Sequence, residues 1–477
     1  MSKEEHYGGL KMKFNMKIIP IIIFAFAFIM QIVLLPPWDT LTYDGALYIN
    51  IARNLAKNPT SFTYQGIYMM YRPPLYPYTL SLFYHFIHDP LTQLKVARVV
   101  SAFFFALTAS LVYLLSLELF GNFIKGTVAS LFFMFNGLAL TMGGRELVHS
   151  EFTFFYTLAI YFLYTGRKRG EPHRIYLAFI SAGLAVLTRY TGLSIIPVFL
   201  AYLWLTDYWG WVKKKEYCIG FMLFFLVLLP WLYLGHLHYG GYFRPFKIAN
   251  RVVTLDKPVS VSDFLTLLFN DVGVVLPALA VLGLLKQKQD ERGYLLISWL
   301  FIGFIMIMIV THKETRFITF LSPVIGVLAA EGIELIGRIS EVVIARAGIK
   351  NIKPWLVTLA LAILLIIPVA QKGFDLKERW NSIGVQESHV LKYASEKYPA
   401  EKLLVSPSLY TMAGFYYPKA EVEMILRRKS IEEKIARGYY DVIIHENPSV
   451  YLNILTSRKY VKVEEFYGGK LEIFIRR

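Results

Sequence analysis

Cysteine is almost absent from this sequence: Cys218 stands alone among 477 residues. That excludes a disulfide framework and any Cys-x-x-Cys metal or redox motif. Charge is scarce as well. Charged residues make up 18% of the chain and hydrophobic ones 56%, which excludes a soluble protein of this length. Internal repeats and low-complexity tracts are missing. No cleavable signal is expected, because the first apolar run lacks a small-residue cleavage site and is long enough to span. Carboxylates are outnumbered: 34 Asp and Glu stand against 50 Lys and Arg, a net charge of +16. Such a surplus suits nucleic acid, but here the basic residues gather in alternate loops. That distribution reports membrane topology, and no nucleic-acid partner is expected.

What is present is a succession of apolar windows, each long enough to cross a hydrocarbon core of roughly 30 Å. A backbone inside lipid must satisfy its own hydrogen bonds, so these windows read as helices. About eleven are expected by windows near nineteen residues, at 18–37, 98–119, 126–142, 149–166, 175–188, 191–206, 217–236, 271–285, 294–311, 317–336 and 354–371. Leu75–Ile87 is shorter and led by proline, and reads as an interfacial or re-entrant helix. With the N-terminus taken as cytoplasmic, Lys125, Arg167 to Arg169, Lys213 to Lys215, Lys286 and Arg338 fall on the cytoplasmic side. The opposite short loops hold only Arg145, Arg189, Lys313 and Arg316. The asymmetry predicts a multi-pass protein of the plasma membrane, N-terminus inside, with the C-terminal segment outside the cytoplasm.

The composition changes near Gly373. Residues 1–372 read as the transmembrane part, with a first outer loop over 38–97, and 373–477 as a second domain. Apolar runs there shrink to strand length (KLLVS, VEMIL, DVIIH, YVKVEEF, LEIFI) and alternate with helical stretches such as QESHVLKYASEKYPAEK. The expected fold class is therefore an all-α polytopic membrane protein with a small C-terminal α/β domain. About 100 residues suffice for that domain's own core. Its SLYTMAGFYYP stretch reads either as a sugar-stacking surface or as a buried strand and turn.

The outer face holds few polar side chains, and they cluster at helix ends: Asp39, Asp44, Arg72, Arg145, Glu146, His149, Glu151, Arg189, His312, Lys313, Glu314 and Arg316. Ionisable residues at membrane depth are functional candidates. Asp44 opens an amphipathic segment with Leu47, Ile51 and Leu55 on one face. It reads either as the cap of that helix or as a catalytic carboxylate. Asp39 reads as a loop residue. Arg72 lies in YRPPLYPY, where the prolines favour an extended backbone. It is suited to bidentate phosphate binding or to snorkelling towards headgroups. His149 and Glu151 suit either a divalent metal ion or a structural hydrogen-bond network, with Glu146 beside them. No cofactor is certain, and the metal stays open. Arg189 reads as an interfacial anchor or a ligand contact. The HKETRF segment, with His312, Lys313 and Arg316, reads as a salt-bridged loop or a phosphate and sugar contact.

In this order the motifs ALYINIARNL, RPPLYPY, RELVHSEFTFFYTLAIYFLY, LTRYTGL and RFITFLSP resemble the polytopic glycosyltransferases of the GT-C fold. The likeness is to the protein O-mannosyltransferase and aminoarabinose transferase type. The resemblance implies a polyprenyl-phosphate-linked sugar donor and a glycan, lipid or protein acceptor among the membrane lipids. It implies transfer with inversion on the non-cytoplasmic face, in service of the cell envelope. It assigns Asp44 as base, with Glu151 as the second carboxylate and Glu146 as its alternative. It assigns Arg72 to the donor phosphate and gives Arg189 and Arg316 a place in family motifs. Asp39, Glu146, His149, His312 and Lys313 are supporting candidates. Two positions depart from the pattern. Gly45 stands where an acidic pair is common, and Tyr71 stands where some relatives carry a carboxylate implicated in metal binding. Both weaken a metal assignment. The WWD-type signature of oligosaccharyltransferases is absent, which argues against transfer of a whole glycan to asparagine. The competing classes are a lipid or sugar transporter or flippase, and a non-catalytic glycan-assembly subunit. The first calls for mid-membrane charge and often an internal repeat, neither of which the chain displays.

Overall fold

A computed structural model describes residues 18–37, 40–254, 258–346, 354–426, 428–446 and 459–477. In chain order the first helices are α1 (Ile19–Val33), α2 (Tyr43–Lys57), α3 (Leu75–Tyr84), α4 (Pro90–Phe120), α5 (Phe123–Phe135), α6 (Gly137–Gly143), α7 (His149–Arg169) and α8 (Pro172–Thr188). Then come α9 (Ile195–Asp207), α10 (Lys215–Tyr239), α11 (Arg244–Thr254), α12 (Val261–Val272), α13 (Val275–Leu285), α14 (Glu291–Met308), α15 (Ser322–Arg346) and α16 (Pro354–Asn381). A short hairpin, β1 (Thr63–Tyr64) and β2 (Ile67–Tyr68), lies between α2 and α3.

Each of the expected apolar windows falls on a helix, and both interfacial readings do too: α2 over the amphipathic segment and α3 over the proline-led one. Among the described residues six helices are long and apolar enough to cross a membrane by length and composition, or up to eight if two bent pairs each count as one. Three features separate this from about eleven. α1 has 15 described residues and α8 has 17, short for an untilted crossing. α7 has 21 residues, but it opens on His149 and Glu151 and ends on Arg167, Lys168 and Arg169, which leaves it less apolar than the six. Two of the windows are also broken. Asn136 ends α5 in a non-helical conformation and caps α6 through Oδ1, giving a 68° bend. Gly273, at φ +76°, bends α12 against α13 by 103°.

The C-terminal part holds α17 (Val385–Lys397), β3 (Lys402–Val405), α18 (Tyr410–Tyr416), β4 (Glu421–Met424), α19 (Lys429–Ala436), β5 (Val442–Glu446), β6 (Tyr460–Phe466) and β7 (Leu471–Arg476). The five strands form one sheet in the order β4-β3-β5-β7-β6. β3 runs parallel to β4 and β5, and β7 antiparallel to β5 and β6. The boundary expected at 372/373 falls inside α16, which continues unbroken to Asn381. The tyrosine-rich stretch is buried, as one reading had it, but as a helix rather than a strand and turn. It forms α18, whose residues from Tyr410 to Phe415 are buried because the helix docks on α2. There the Thr411 hydroxyl donates to the Tyr43 carbonyl (2.7 Å), and Asn50 Nδ2 donates to the Thr411 carbonyl (2.9 Å).

Charge segregates to the two ends of the bundle. Lys125 bridges Glu331 (2.7 Å) and Glu334 (2.5 Å), Lys286 reaches the same two carboxylates, and Arg338 reaches Glu334 (2.9 Å). Glu334 lies twelve residues along α15 from Ser322, about 18 Å at 1.5 Å per residue. The outer-loop candidates lie towards the Ser322 end.

The outer loop is pinned by a buried ion pair. Arg98 of α4 and Glu146, between α6 and α7, have no exposed side-chain surface and meet at 2.9 Å through Nε and Oε2. Arg98 gives its other donors to the carbonyls of Pro36 (3.1 Å), Pro37 (2.8 Å) and Thr40 (2.5 Å). Glu146 Oε1 accepts from the Thr42 amide at 2.9 Å. Two spans thus clamp the loop that leads into α2. Burial alone would raise the Glu146 pKa, but Arg98 and Arg145 outweigh it and hold the group at about 2. A depressed carboxylate contributes stability that is complete above its ordinary value of 4.5 and is lost as pH falls towards 2. Removing one member of such a pair strands the other charge, at a cost of about 3–5 kcal/mol. Arg98→Met and Glu146→Gln are each expected to lower unfolding stability in detergent by that order, and the double variant by less than the sum. The acid destabilisation between pH 4.5 and 2 is expected to flatten in Glu146→Gln.

Candidate active site

The site starts with the first turn of α2. Thr42 is the N-cap, extended at ψ 153°, and its side chain accepts from the Gly45 amide (3.1 Å). The capping role open to Asp44 therefore belongs to Thr42, and the Asp44 carboxylate is left to point elsewhere. It meets two guanidiniums. Arg72 Nη2 lies 2.7 Å from Oδ1, and Arg316 Nη2 lies 3.2 Å from Oδ2. Side-chain exposure is 20% for Asp44, 23% for Arg72 and 15% for Arg316, so the cluster sits in a recess that water still reaches.

Arg72 comes from the end of the β1–β2 hairpin. The backbone there is a turn closed by the Arg72 amide on the Met69 carbonyl (2.8 Å), not the extended segment that the prolines suggest. Pro73 and Pro74 lead directly into α3 because Pro74 already has helical angles. The guanidinium lies against the rings of Tyr71 (5.3 Å) and Tyr48 (5.8 Å), and its buried Nε has no acceptor. Arg316 lies in the 3-10 turn Thr315–Leu321 before α15. It chelates Glu314 through Nε (2.5 Å) and Nη2 (3.0 Å), and His312 reaches the same carboxylate at 3.0 Å. Arg189, at the end of α8, lies 3.0 Å from His149 Nδ1 and 4.2 Å over the Phe317 ring.

The electrostatics of Asp44 follow from this crowding. Burial pushes its pKa up, but Arg72, then Arg316 and Arg189, outweigh burial and hold it below the ordinary carboxylate range. Asp44 is thus a carboxylate at neutral pH. Glu314 is held low by the same balance, burial against Arg316.

Other expected members lie elsewhere. Glu151 is buried and accepts from the Thr79 hydroxyl of α3 (2.7 Å), while its Oε2 is buried without a partner. Glu146 has both oxygens committed, to Arg98 and to the Thr42 amide. Arg145 donates to the Trp380 carbonyl and to Asn381 Oδ1 (3.3 Å) at the end of α16. Lys313 is buried and donates to the Val259 carbonyl (2.9 Å). Asp39 lies outside the described residues. A divalent cation finds no donor set here. No three His, Cys, Asp or Glu side chains gather for one among the described residues. His149 faces a guanidinium, and both oxygens of Asp44 do as well.

Gly45 explains one departure from the expected pattern. A Cβ at this position would lie 2.2 Å from Glu146 Cγ and 2.7 Å from Thr42 Oγ1. A second carboxylate after Asp44 has no room, because the Arg98–Glu146 pair occupies that space. Sequence reasoning missed Arg98, Tyr48 and Thr79. Arg98 carried one signal, as a cation at the edge of an apolar window. Gly45→Ala is expected to overpack this contact, lowering stability by about 1–3 kcal/mol in thermal unfolding. It is also expected to lower turnover in the assay described below, since Asp44 is the adjacent residue.

Two family models match the chain. Dolichyl-phosphate-mannose-protein mannosyltransferase matches over residues 71–234. The Alg9-like mannosyltransferase family matches over residues 263–396. An uncharacterized protein of Aquifex aeolicus (strain VF5) is 26% identical over 306 residues, covering 60% of this chain and 58% of that protein. The chain therefore matches less than two thirds of that relative's length. Among solved structures, ArnT from Cupriavidus metallidurans bound to undecaprenyl phosphate superposes with a TM-score of 0.69 at 14% identity, covering 95% of this chain and 97% of that one. Archaeal oligosaccharyltransferase AglB from Archaeoglobus fulgidus, in complex with an inhibitory peptide and a dolichol-phosphate, gives 0.59 at 14% identity, covering 92% and 71%. The expected architecture, helical bundle and C-terminal sheet domain together, is thus matched almost end to end: the chain is a polytopic membrane protein of the GT-C glycosyltransferase fold.

Proposed function

We propose that this protein is an inverting glycosyltransferase. In this reading it moves a sugar from a polyprenyl-phosphate donor to a hydroxyl of a glycan, lipid or protein on the non-cytoplasmic membrane face. The observation that carries the reading is the Asp44 carboxylate held between Arg72 and Arg316. The mannosyltransferase family models support the reaction class, and the polyprenyl phosphates bound to ArnT and AglB support the donor class. The basic residues of the opposite end support a cytoplasmic N-terminus.

In this mechanism Asp44 accepts the proton of the acceptor hydroxyl as that oxygen attacks the anomeric carbon. The bond from the anomeric carbon to the phosphate oxygen breaks on the opposite side, which inverts the centre. Its electron pair leaves with the polyprenyl phosphate, and the new glycosidic bond takes its place. Arg72 and Arg316 stabilise the charge that develops on the leaving phosphate. Donor phosphate and Asp44 compete for the same two guanidiniums. A carboxylate locked by two cations is a weak base. As the phosphate draws them away, the proton affinity of Asp44 rises where proton transfer needs it. Glu151, which accepts from the Thr79 hydroxyl of α3, serves in this reading as a supporting carboxylate. Arg189 adds positive potential beside the phosphate.

The test uses purified protein in liposomes with isotope-labelled polyprenyl-phosphate sugars and measures released polyprenyl phosphate and labelled product. Asp44→Asn is expected to lower turnover by about 10²–10⁴-fold, the range of a general base; unchanged transfer would remove Asp44 from the mechanism. Arg72→Ala is expected to raise the apparent donor KM roughly 10–100-fold, the equivalent of one charge-assisted contact. Because Arg72 holds the Asp44 pKa down, the acid limb of the pH–rate profile is expected to move to higher pH in Arg72→Ala. It should move back towards wild type in Arg72→Lys.

A further inference from the structure

A second cationic recess lies on the far side of α2. Arg53 follows Asp44 by nine residues, which on an α-helix is about 13 Å further along the axis and half a turn round. The recess has a volume of about 600 Å³ and is bounded by α2, the α3–α4 connection and the C-terminal domain. Arg53, Lys57, His85, His88 and Lys419 line it, and no Asp or Glu does. Arg53 is half-buried, and its hydrogen bonds go only to neutral groups: Gln93 Oε1, Asn50 Oδ1 (3.1 Å) and the Phe415 carbonyl (3.3 Å). Its Nη2 is buried without any acceptor. Asp89, the carboxylate whose charge reaches Arg53, makes no ion pair with it but caps α4, taking the Thr92 amide and hydroxyl, both at 2.7 Å. Burying a guanidinium without a carboxylate is unfavourable unless an anion arrives.

Beside the recess is an apolar strip. Leu82 and Phe83, in the last turn of α3, and Phe86, in the connection that carries His85 and His88, are 65%, 45% and 86% exposed. An exposed apolar strip on an interfacial helix faces acyl chains. A carboxylate-free cationic recess next to lipid-facing side chains matches a ligand with an anionic head and a hydrocarbon tail.

We infer that the Arg53 recess binds the phosphate-bearing headgroup of a membrane lipid. Arg53 anchors the phosphate, Lys57 and Lys419 stand at the mouth, and Leu82, Phe83 and Phe86 hold the first carbons of the chains. The site is separate from the Asp44 cluster and does not depend on the donor reading.

Native mass spectrometry of the full-length protein in neutral detergent tests this inference. The probes are dioleoyl phosphatidic acid, dioleoyl phosphatidylcholine and inorganic phosphate. One phosphatidic acid is expected to be retained per chain, in preference to phosphatidylcholine. Arg53→Gln is expected to weaken retention roughly 10–100-fold, the worth of a charge-assisted contact. Lys57→Glu and Lys419→Glu, both at exposed positions, are expected to weaken it by about fivefold or more each. These two keep the test decisive if Arg53→Gln folds poorly. Phe86→Ser separates the sources: it is expected to weaken phosphatidic acid and leave inorganic phosphate unchanged. Equal retention of the two lipids, or retention indifferent to Lys57→Glu and Lys419→Glu, overturns the inference. Inorganic phosphate binding as tightly as phosphatidic acid, with no effect of Phe86→Ser on the lipid, overturns its lipid part.

Discussion

The arrangement at the outer end of the bundle depends on one buried ion pair, Arg98 with Glu146. A guanidinium and a carboxylate without exposed surface are tolerable only because each spare donor or acceptor is used, on the carbonyls of Pro36, Pro37 and Thr40 and on the Thr42 amide. Those partners are the backbone of the segment that enters α2. The pair therefore converts the positions of two spans into the position and tilt of an interfacial helix. Gly45 packs directly on Glu146, and Asp44 is the residue before it. The carboxylate proposed as the base is fixed in this way by groups outside the proposed chemistry.

The Asp44 cluster follows a different electrostatic logic. Arg98 and Glu146 have exhausted their hydrogen-bonding capacity. Asp44, Arg72 and Arg316 have not: Arg72 keeps an unused buried Nε, and all three remain partly exposed. A saturated pair holds structure, and an unsaturated partly wet one can exchange partners at modest cost. The same distinction marks Arg53, whose hydrogen bonds go to neutral groups and whose buried Nη2 has no acceptor. Along α2, then, two open sites lie on opposite faces of a helix that the saturated pair holds in place.

Much of the architecture was legible because the bilayer imposes simple rules. Apolar windows marked the helices, the alternation of basic loops marked the two ends, and strand-length runs marked the C-terminal sheet. The span count was less legible. Hydropathy windows do not register a bend or a shortened helix, and a local cap at Asn136 and a left-handed glycine at Gly273 break two of the windows. Glu146 shows the same limit within the candidate site. Its position beside a span entry made it a supporting candidate, but only the fold shows that both of its oxygens serve the outer loop. Glu151 stood two residues after His149, yet it faces Thr79 on α3 while His149 faces Arg189. The SLYTMAGFYYP stretch was legible as buried but not as a helix, because it docks as α18 on α2 through Thr411, a contact between positions more than 300 residues apart.

The sequence by itself determined that this is a membrane protein with a small appended domain, and that its ionisable residues collect at the ends of the spans. Composition and periodicity are enough for that, since they act over a few turns of chain. It also singled out Asp44 and Arg72, through motif order rather than spacing. Tertiary structure decided what those residues meet. Arg72 and Arg316 are 244 positions apart in the chain and share one carboxylate. Whether a carboxylate caps a helix, locks a loop or waits for a proton depends on which donors surround it. In this protein those donors come from other spans.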